Sequence, residues 1–166
     1  MSSQIDEKQV SVRISELFVD RLDDLAKGAS VNRHHLLLCL IIVWLRVFED
    51  SKLPNYFKLA LEIRNLEAGM KGEMKPSLEY IESNFPGKAL PIKLSESDST
   101  MISVFASRTH LSRHLLMKNM ILVCIEELEK ITGNNPYRYA DVEPQLFSSL
   151  ETIMKKGRKA FLAAIK

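Results

Sequence analysis

Several kinds of protein are excluded by what this sequence has little of. Its 166 residues include only two cysteines, Cys39 and Cys124. Both fall inside apolar runs at helical spacing, so a disulfide-built scaffold is excluded and buried thiols in a reducing compartment are expected. No long hydrophobic stretch occurs. The longest, Leu36 to Leu45, covers about ten residues against the roughly twenty that a bilayer span needs. It reads as a buried helix, and no membrane is expected as a partner. Met1 to Lys8 is polar and lacks the apolar segment of a secretory signal, so a cytoplasmic location is expected.

Glycine is scarce, with six in the chain, and none forms a phosphate-cradling loop; no nucleophile elbow or metalloprotease motif appears either. Neither an enzyme nor a cofactor is expected. His34, His35 and Cys39, or His110 and His114, offer metal-binding residue types. No carboxylate cluster joins either set, and no metal site is expected. Charge of one sign is also lacking. A net charge of +2 permits contact with phosphates without arguing for it.

What the sequence does contain is a duplication. Val10-Ser-Val-Arg-Ile-Ser-Glu16 aligns without a gap on Leu90-Pro-Ile-Lys-Leu-Ser-Glu96, 80 positions later. The register then continues. Leu22, Leu25 and Ala26 meet Ile102, Phe105 and Ala106, and Arg33-His34 meets Arg113-His114. Leu40, Ile41, Val43 and Leu45 meet Met120, Ile121, Val123 and Ile125, and Glu49 meets Glu129.

Each copy has the same order of signals. Val10, Val12 and Ile14 alternate with Gln9, Ser11 and Arg13, the period of two that marks a half-buried strand, and Leu90, Ile92 and Leu94 repeat it. Ser15 is a good N-cap for a first helix whose apolar face carries Leu17, Leu22, Leu25 and Ala26, with Asp20, Asp23 and Asp24 opposite. Gly28 and Ser30 mark a break. Asn32 then caps a second helix from about Arg33 to Phe48, and Ser112 takes its place before a helix from about Arg113 to Lys130. One strand and two short helices cannot bury their own apolar surface. The second copy supplies the missing partner, so the two strands are expected to pair antiparallel within one chain.

The segment between the copies, 51–88, predicts a helical connector. It has an apolar pattern at Tyr56, Leu59, Leu61, Ile63 and Leu66, a Gly-Met-Lys-Gly break, and a shorter pattern around Leu78 to Phe85. After the break at Thr132-Gly-Asn-Asn-Pro136, the tail 137–166 predicts an amphipathic helix from about Glu143. Leu146, Leu150, Ile153, Phe161 and Ile165 form its apolar face, beside a basic cluster of Lys155, Lys156, Arg158 and Lys159. Three roles are open for it: packing on the core, docking a second copy or a partner protein, and nonspecific phosphate contact.

Residues Val10 to Glu49 and Leu90 to Glu129 resemble the ribbon-helix-helix family, the fold of the Arc and MetJ repressors, in which a two-stranded ribbon enters the DNA major groove. Two modules in one chain look like the TraY type of conjugative-plasmid protein. The resemblance implies a mainly α protein with a two-stranded antiparallel β-ribbon, a tandem pseudo-dimer with additional helices, its modules at 9–50 and 89–131.

By the same resemblance, the outward strand residues read base edges of double-stranded DNA. These are Gln9, Ser11 and Arg13 in the first strand, and Ala89, Pro91 and Lys93 in the second. Arg13 suits guanine, Gln9 adenine, and Ser11 either donates or accepts, whereas in the second strand only Lys93 has polar reach. Asn32-Arg33 and Ser112-Arg113, at the amide ends of the second helices, are implied phosphate contacts. The expected function is a bacterial, non-enzymatic, sequence-specific DNA-binding regulator, most simply a transcriptional repressor. Two alternatives stand beside it: a plasmid transfer or partition accessory protein, and a toxin-binding or scaffold module whose DNA face has been lost.

Overall fold

A computed structural model describes residues 7–50, 52–70 and 87–165. The first described element is a strand, β1 (Glu7–Ser15), formed because its apolar residues alternate; Val12 and Ile14 are buried while Gln9, Ser11 and Arg13 are exposed. Ser15 ends the strand and starts α1 (Glu16–Gly28), its Oγ accepting the Phe18 N–H at 3.4 Å. α1 closes on Ser30 in the left-handed region (φ 58°), with the Val31 N–H donating to the Ala26 carbonyl. Asn32 caps α2 (Arg33–Val47), its Oδ1 accepting the His35 N–H at 2.8 Å.

Eighty positions on, the same devices recur. β2 (Gly87–Ser95) leads through the Ser95 cap into α4 (Glu96–Thr109), which closes on a left-handed His110 (φ 60°). The Leu111 N–H then donates to the Ala106 carbonyl, and Ser112 caps α5 (Arg113–Thr132) through the Leu115 N–H at 3.1 Å. Caps and breaks therefore fall where the sequence places them. Both strands run two residues further back than expected, from Glu7 and Gly87 rather than from positions 9 and 89.

β1 and β2 form a two-stranded antiparallel sheet in this mainly helical protein. Its inner face, with Val12, Ile14, Leu90, Ile92 and Leu94, closes over a core to which both second helices contribute about half of their residues. The helical apolar pairs matched above, from Leu22 with Ile102 to Leu45 with Ile125, are buried on both sides, although Ile42 in the same stretch is 44% exposed. Trp44 ties the copies together: it is fully buried in α2, and its Nε1 donates to the Met120 carbonyl of α5 at 2.8 Å. Leu17 departs from expectation and is 45% exposed. The cap at Ser15 sets the phase of α1 so that Phe18, Val19 and Leu22 face inward and Leu17 faces out.

Between the copies lie a short 3-10 turn (Leu53–Tyr56) and α3 (Phe57–Met70). The buried stripe here is Leu53, Phe57 and Ala60, while Leu66, expected on the apolar face, is 67% exposed. The stripe is set by the close approach of α6 (Tyr139–Ala164), where a Cβ on Gly157 would stand 2.8 Å from that of Ala60. At its far end Arg64 donates to Glu126 at 3.0 Å and to Glu127 at 2.8 Å, joining α3 to α5. The expected pattern from Leu78 to Phe85 lies outside the described residues.

α6 begins at Tyr139, earlier than the expected Glu143, and carries Pro144 in its second turn. There the ring forgoes one bond, to the carbonyl of Ala140. Leu146, Leu150 and Met154 reach the core, but Phe161, whose ring meets that of Tyr56 at 5.4 Å between centroids, and Ile165, both expected on the same face, are 43% and 64% exposed. In the basic cluster, Lys155 pairs with Glu151, Lys156 with Glu67 and Arg158 with Asp50. Both cysteines are free thiols; Cys124 is buried, whereas Cys39 is only half-buried. Among the described residues no single helix is long and apolar enough to cross a membrane.

Candidate nucleic-acid interface

The outer face of the ribbon is built by strand register. Ser11 lies opposite Pro91, its own counterpart in the duplication, and the ladder runs outward from that pair to Gln9 opposite Lys93 and Arg13 opposite Ala89. Residues opposite each other in an antiparallel pair alternate between those that exchange backbone hydrogen bonds and those that do not. The N–H groups of Arg13 and Lys93 both point away from the partner strand, donating instead to helix side chains. Pro91 shares the phase of Lys93, so its missing N–H costs the ladder nothing. This removes the objection that a proline raises against a strand residue.

All six outward residues, Gln9, Ser11, Arg13, Ala89, Pro91 and Lys93, are exposed. They do not form two equal halves. Gln9 and Lys93 place two polar side chains at one end, while Arg13 stands beside Ala89 at the other. Arg13 lies across the ribbon, its Nη1 donating to the Gly87 carbonyl at 2.8 Å. Only glycine permits this path, since a Cβ at position 87 would fall 2.4 Å from the Arg13 Cγ. Lys8 and Lys88, also 80 positions apart, add exposed cations at the ribbon ends. Sequence reasoning did not single them out, although their phase in the duplication was a signal for them.

At the amide ends of α2 and α5, Asn32 and Ser112 act as caps, accepting the His35 and Leu115 N–H groups. The helix amides nearest the cap have no carbonyl one turn below them, which suits an anion. The two arginines that follow are turned elsewhere. Arg33 makes a two-pronged contact with Asp23, at 2.6 and 2.7 Å, and this hydrogen-bonded pairing holds the Asp23 carboxyl below its usual range. Arg113 donates to the Ser99 hydroxyl at 2.7 Å. Each guanidinium is thus folded back onto the first helix of its own half.

Two histidines read from the sequence as helix-end residues make matching contacts in the two halves. His34 and His114, the second residues of α2 and α5, accept the Lys93 and Arg13 backbone N–H groups through Nε2, at 3.1 and 3.0 Å. The Arg-His pairs in phase were the available signal. Among the described residues no three His, Cys, Asp or Glu side chains gather where they could hold a metal ion. Chemically, the outward row of the ribbon offers one guanidinium, one ammonium, one amide and one hydroxyl on an exposed strip two strands wide, with the Lys8 and Lys88 ammonium groups at its ends. Comparison with family models, with curated proteins and with solved structures finds no match to this chain.

Proposed function

We propose that this chain is a sequence-specific DNA-binding regulator, most simply a repressor, that reads the major groove with its β-ribbon as a tandem ribbon-helix-helix pseudo-dimer. The observation that carries the reading is the ribbon itself: a two-stranded, polar, exposed strip whose central pair is Ser11 and its counterpart Pro91. Pairing centred on equivalent residues is what a local two-fold axis requires. A strip of this width fits the major groove, and Arg13, Gln9 and Lys93 carry the donors and acceptors that base edges meet there. The capped amide ends of α2 and α5 are suited to the flanking phosphates.

The unequal ends make the target non-palindromic. Lys93 stands where two-fold symmetry would repeat Arg13, and Ala89 where it would repeat Gln9. The chain therefore binds in one orientation, with guanine under Arg13. Against this reading stand the apolar outward residues Ala89 and Pro91 and the net charge of only +2. They favour a module that binds protein instead.

Arg13→Ala is expected to cost about 1–3 kcal/mol on the specific duplex and to relax preference at one base position. Arg33→Ala weakens all duplexes alike and by less, since Asp23 already offsets its charge and a phosphate contact carries little base information. Lys93→Ala has a smaller effect on preference than Arg13→Ala. Affinities of the three variants for specific and scrambled duplexes check this; equal losses at Arg13 on both duplexes would remove base reading from the ribbon.

A further inference from the structure

A two-stranded ribbon has two unpaired edges, and each presents outward-pointing backbone groups. Here each edge is held by a histidine from the opposite half of the duplication. The β1 edge is held at Arg13 by His114 of α5, and the β2 edge at Lys93 by His34 of α2. The residues held are the two cationic outward residues of the ribbon. The residues that hold them occupy the second position of the helices whose amide ends flank it. In each contact Nε2 accepts, so it carries no proton, and the proton of the neutral ring lies on Nδ1.

From this reciprocal geometry we infer that His34 and His114 are positioning residues of the interface: they latch each ribbon edge to a helix N-terminus and so fix the spacing between side chains that face bases and amides that face phosphates. The inference rests on the DNA-binding reading for its consequence but not for its geometry. Coupling between these two sets of groups matters because phosphate contacts set the register in which base contacts are made. A latch that loosens lets Arg13 or Lys93 shift against the phosphate grip. Discrimination between sequences then falls more than overall affinity does.

Glutamine can present an acceptor at about the reach of Nε2, whereas leucine fills similar space and accepts nothing. The test uses the full chain as wild type, as the double variant His34→Gln with His114→Gln, and as the double variant with leucine at both positions. Nitrogen NMR of the wild-type rings reads the tautomer, and amide exchange reads the Arg13 and Lys93 N–H groups. Expected are Nδ1–H rings, exchange about fivefold faster at both amides in the leucine variant, and recovery in the glutamine variant. On DNA, the leucine variant loses the larger part of its ratio of specific to scrambled affinity, and glutamine restores it.

Nε2–H rings, or amide exchange alike in all three proteins, would overturn the latch whether or not DNA is bound. Normal latches in a wild-type protein without DNA affinity would instead overturn the DNA-binding reading and, with it, the role given to the latch. A leucine variant that exchanges faster yet discriminates as the wild type does would leave the histidines a purely structural part and refute the positioning role.

Discussion

Trp44→Ala is expected to destabilise the protein by about 4 kcal/mol. The indole is fully buried, packs against Phe48 at 5.2 Å and Phe57 at 5.5 Å between ring centroids, and reaches the second copy through the Met120 carbonyl. Phe48 in turn meets Phe105 of α4 at 5.2 Å. Truncation thus opens a cavity where α2, α3, α4 and α5 meet and removes the second hydrogen bond of the Met120 carbonyl, which keeps its intrahelical one. Trp44→Phe keeps most of the packing and loses the donor, at about 1–3 kcal/mol. Trp44 is the one tryptophan in the chain, so urea unfolding should be followed by circular dichroism. A single transition at lower midpoint is expected, because the indole bridges the two copies and its removal weakens both together. Two separated transitions would show that the copies fold independently.

Arg64→Ala is expected to cost about 3 kcal/mol, because it removes the cation shared by two largely buried carboxylates. Arg64 is 14% exposed, Glu126 7% and Glu127 13%. Burial pushes the Glu127 carboxyl up, but the hydrogen bonds and charges of Arg64 and then of Lys130 together outweigh it, so that group sits below its usual range. A depressed folded pKa contributes stability above the unfolded value, near 4.3, and that stability is lost as pH falls through the folded value. In Arg64→Ala the Arg64 part of this lowering is lost, and only the Lys130 contact still opposes burial. The deficit relative to wild type should therefore shrink as pH is lowered from 7 toward 4. Urea midpoints of both proteins at several pH values measure this, and a deficit that stays constant would mean that the Glu127 contact contributes little.

Much of the fold was legible because local chemistry decides it. Alternation at Val10, Val12 and Ile14, the caps at Ser15, Asn32 and Ser112, and the break at Ser30 all depend on residues within a few positions. The pairing of the strands was legible for another reason: neither copy could bury its apolar face alone. Features that depend on distant contact were not. Leu17 and Leu66 are apolar yet exposed because the cap at Ser15 and the close approach at Gly157 choose which face turns inward. The early start of α6 was hidden by Pro144, which more often marks a helix's first turn than its second.

The candidate interface divides along the same line. That Gln9, Ser11, Arg13 and Lys93 face outward follows from strand period, and so it could be read. That Arg33 is engaged by Asp23, or that His34 reaches Lys93 across the two copies, could not, since neither contact is encoded by spacing along the chain. In the proposed interface the phosphate contact accordingly shifts from the two guanidinium groups toward the helix amides beside Asn32 and Ser112.

Whether the ribbon reads DNA is decided by selecting duplexes from a random pool, then titrating the selected and a scrambled duplex across a range of salt. A non-palindromic sequence should be enriched and bound about a thousandfold or more tighter than the scrambled duplex. For both duplexes, log affinity should fall linearly with log salt. Absence of salt-dependent affinity, with no sequence enriched, would contradict DNA reading and leave the ribbon as a surface for binding protein.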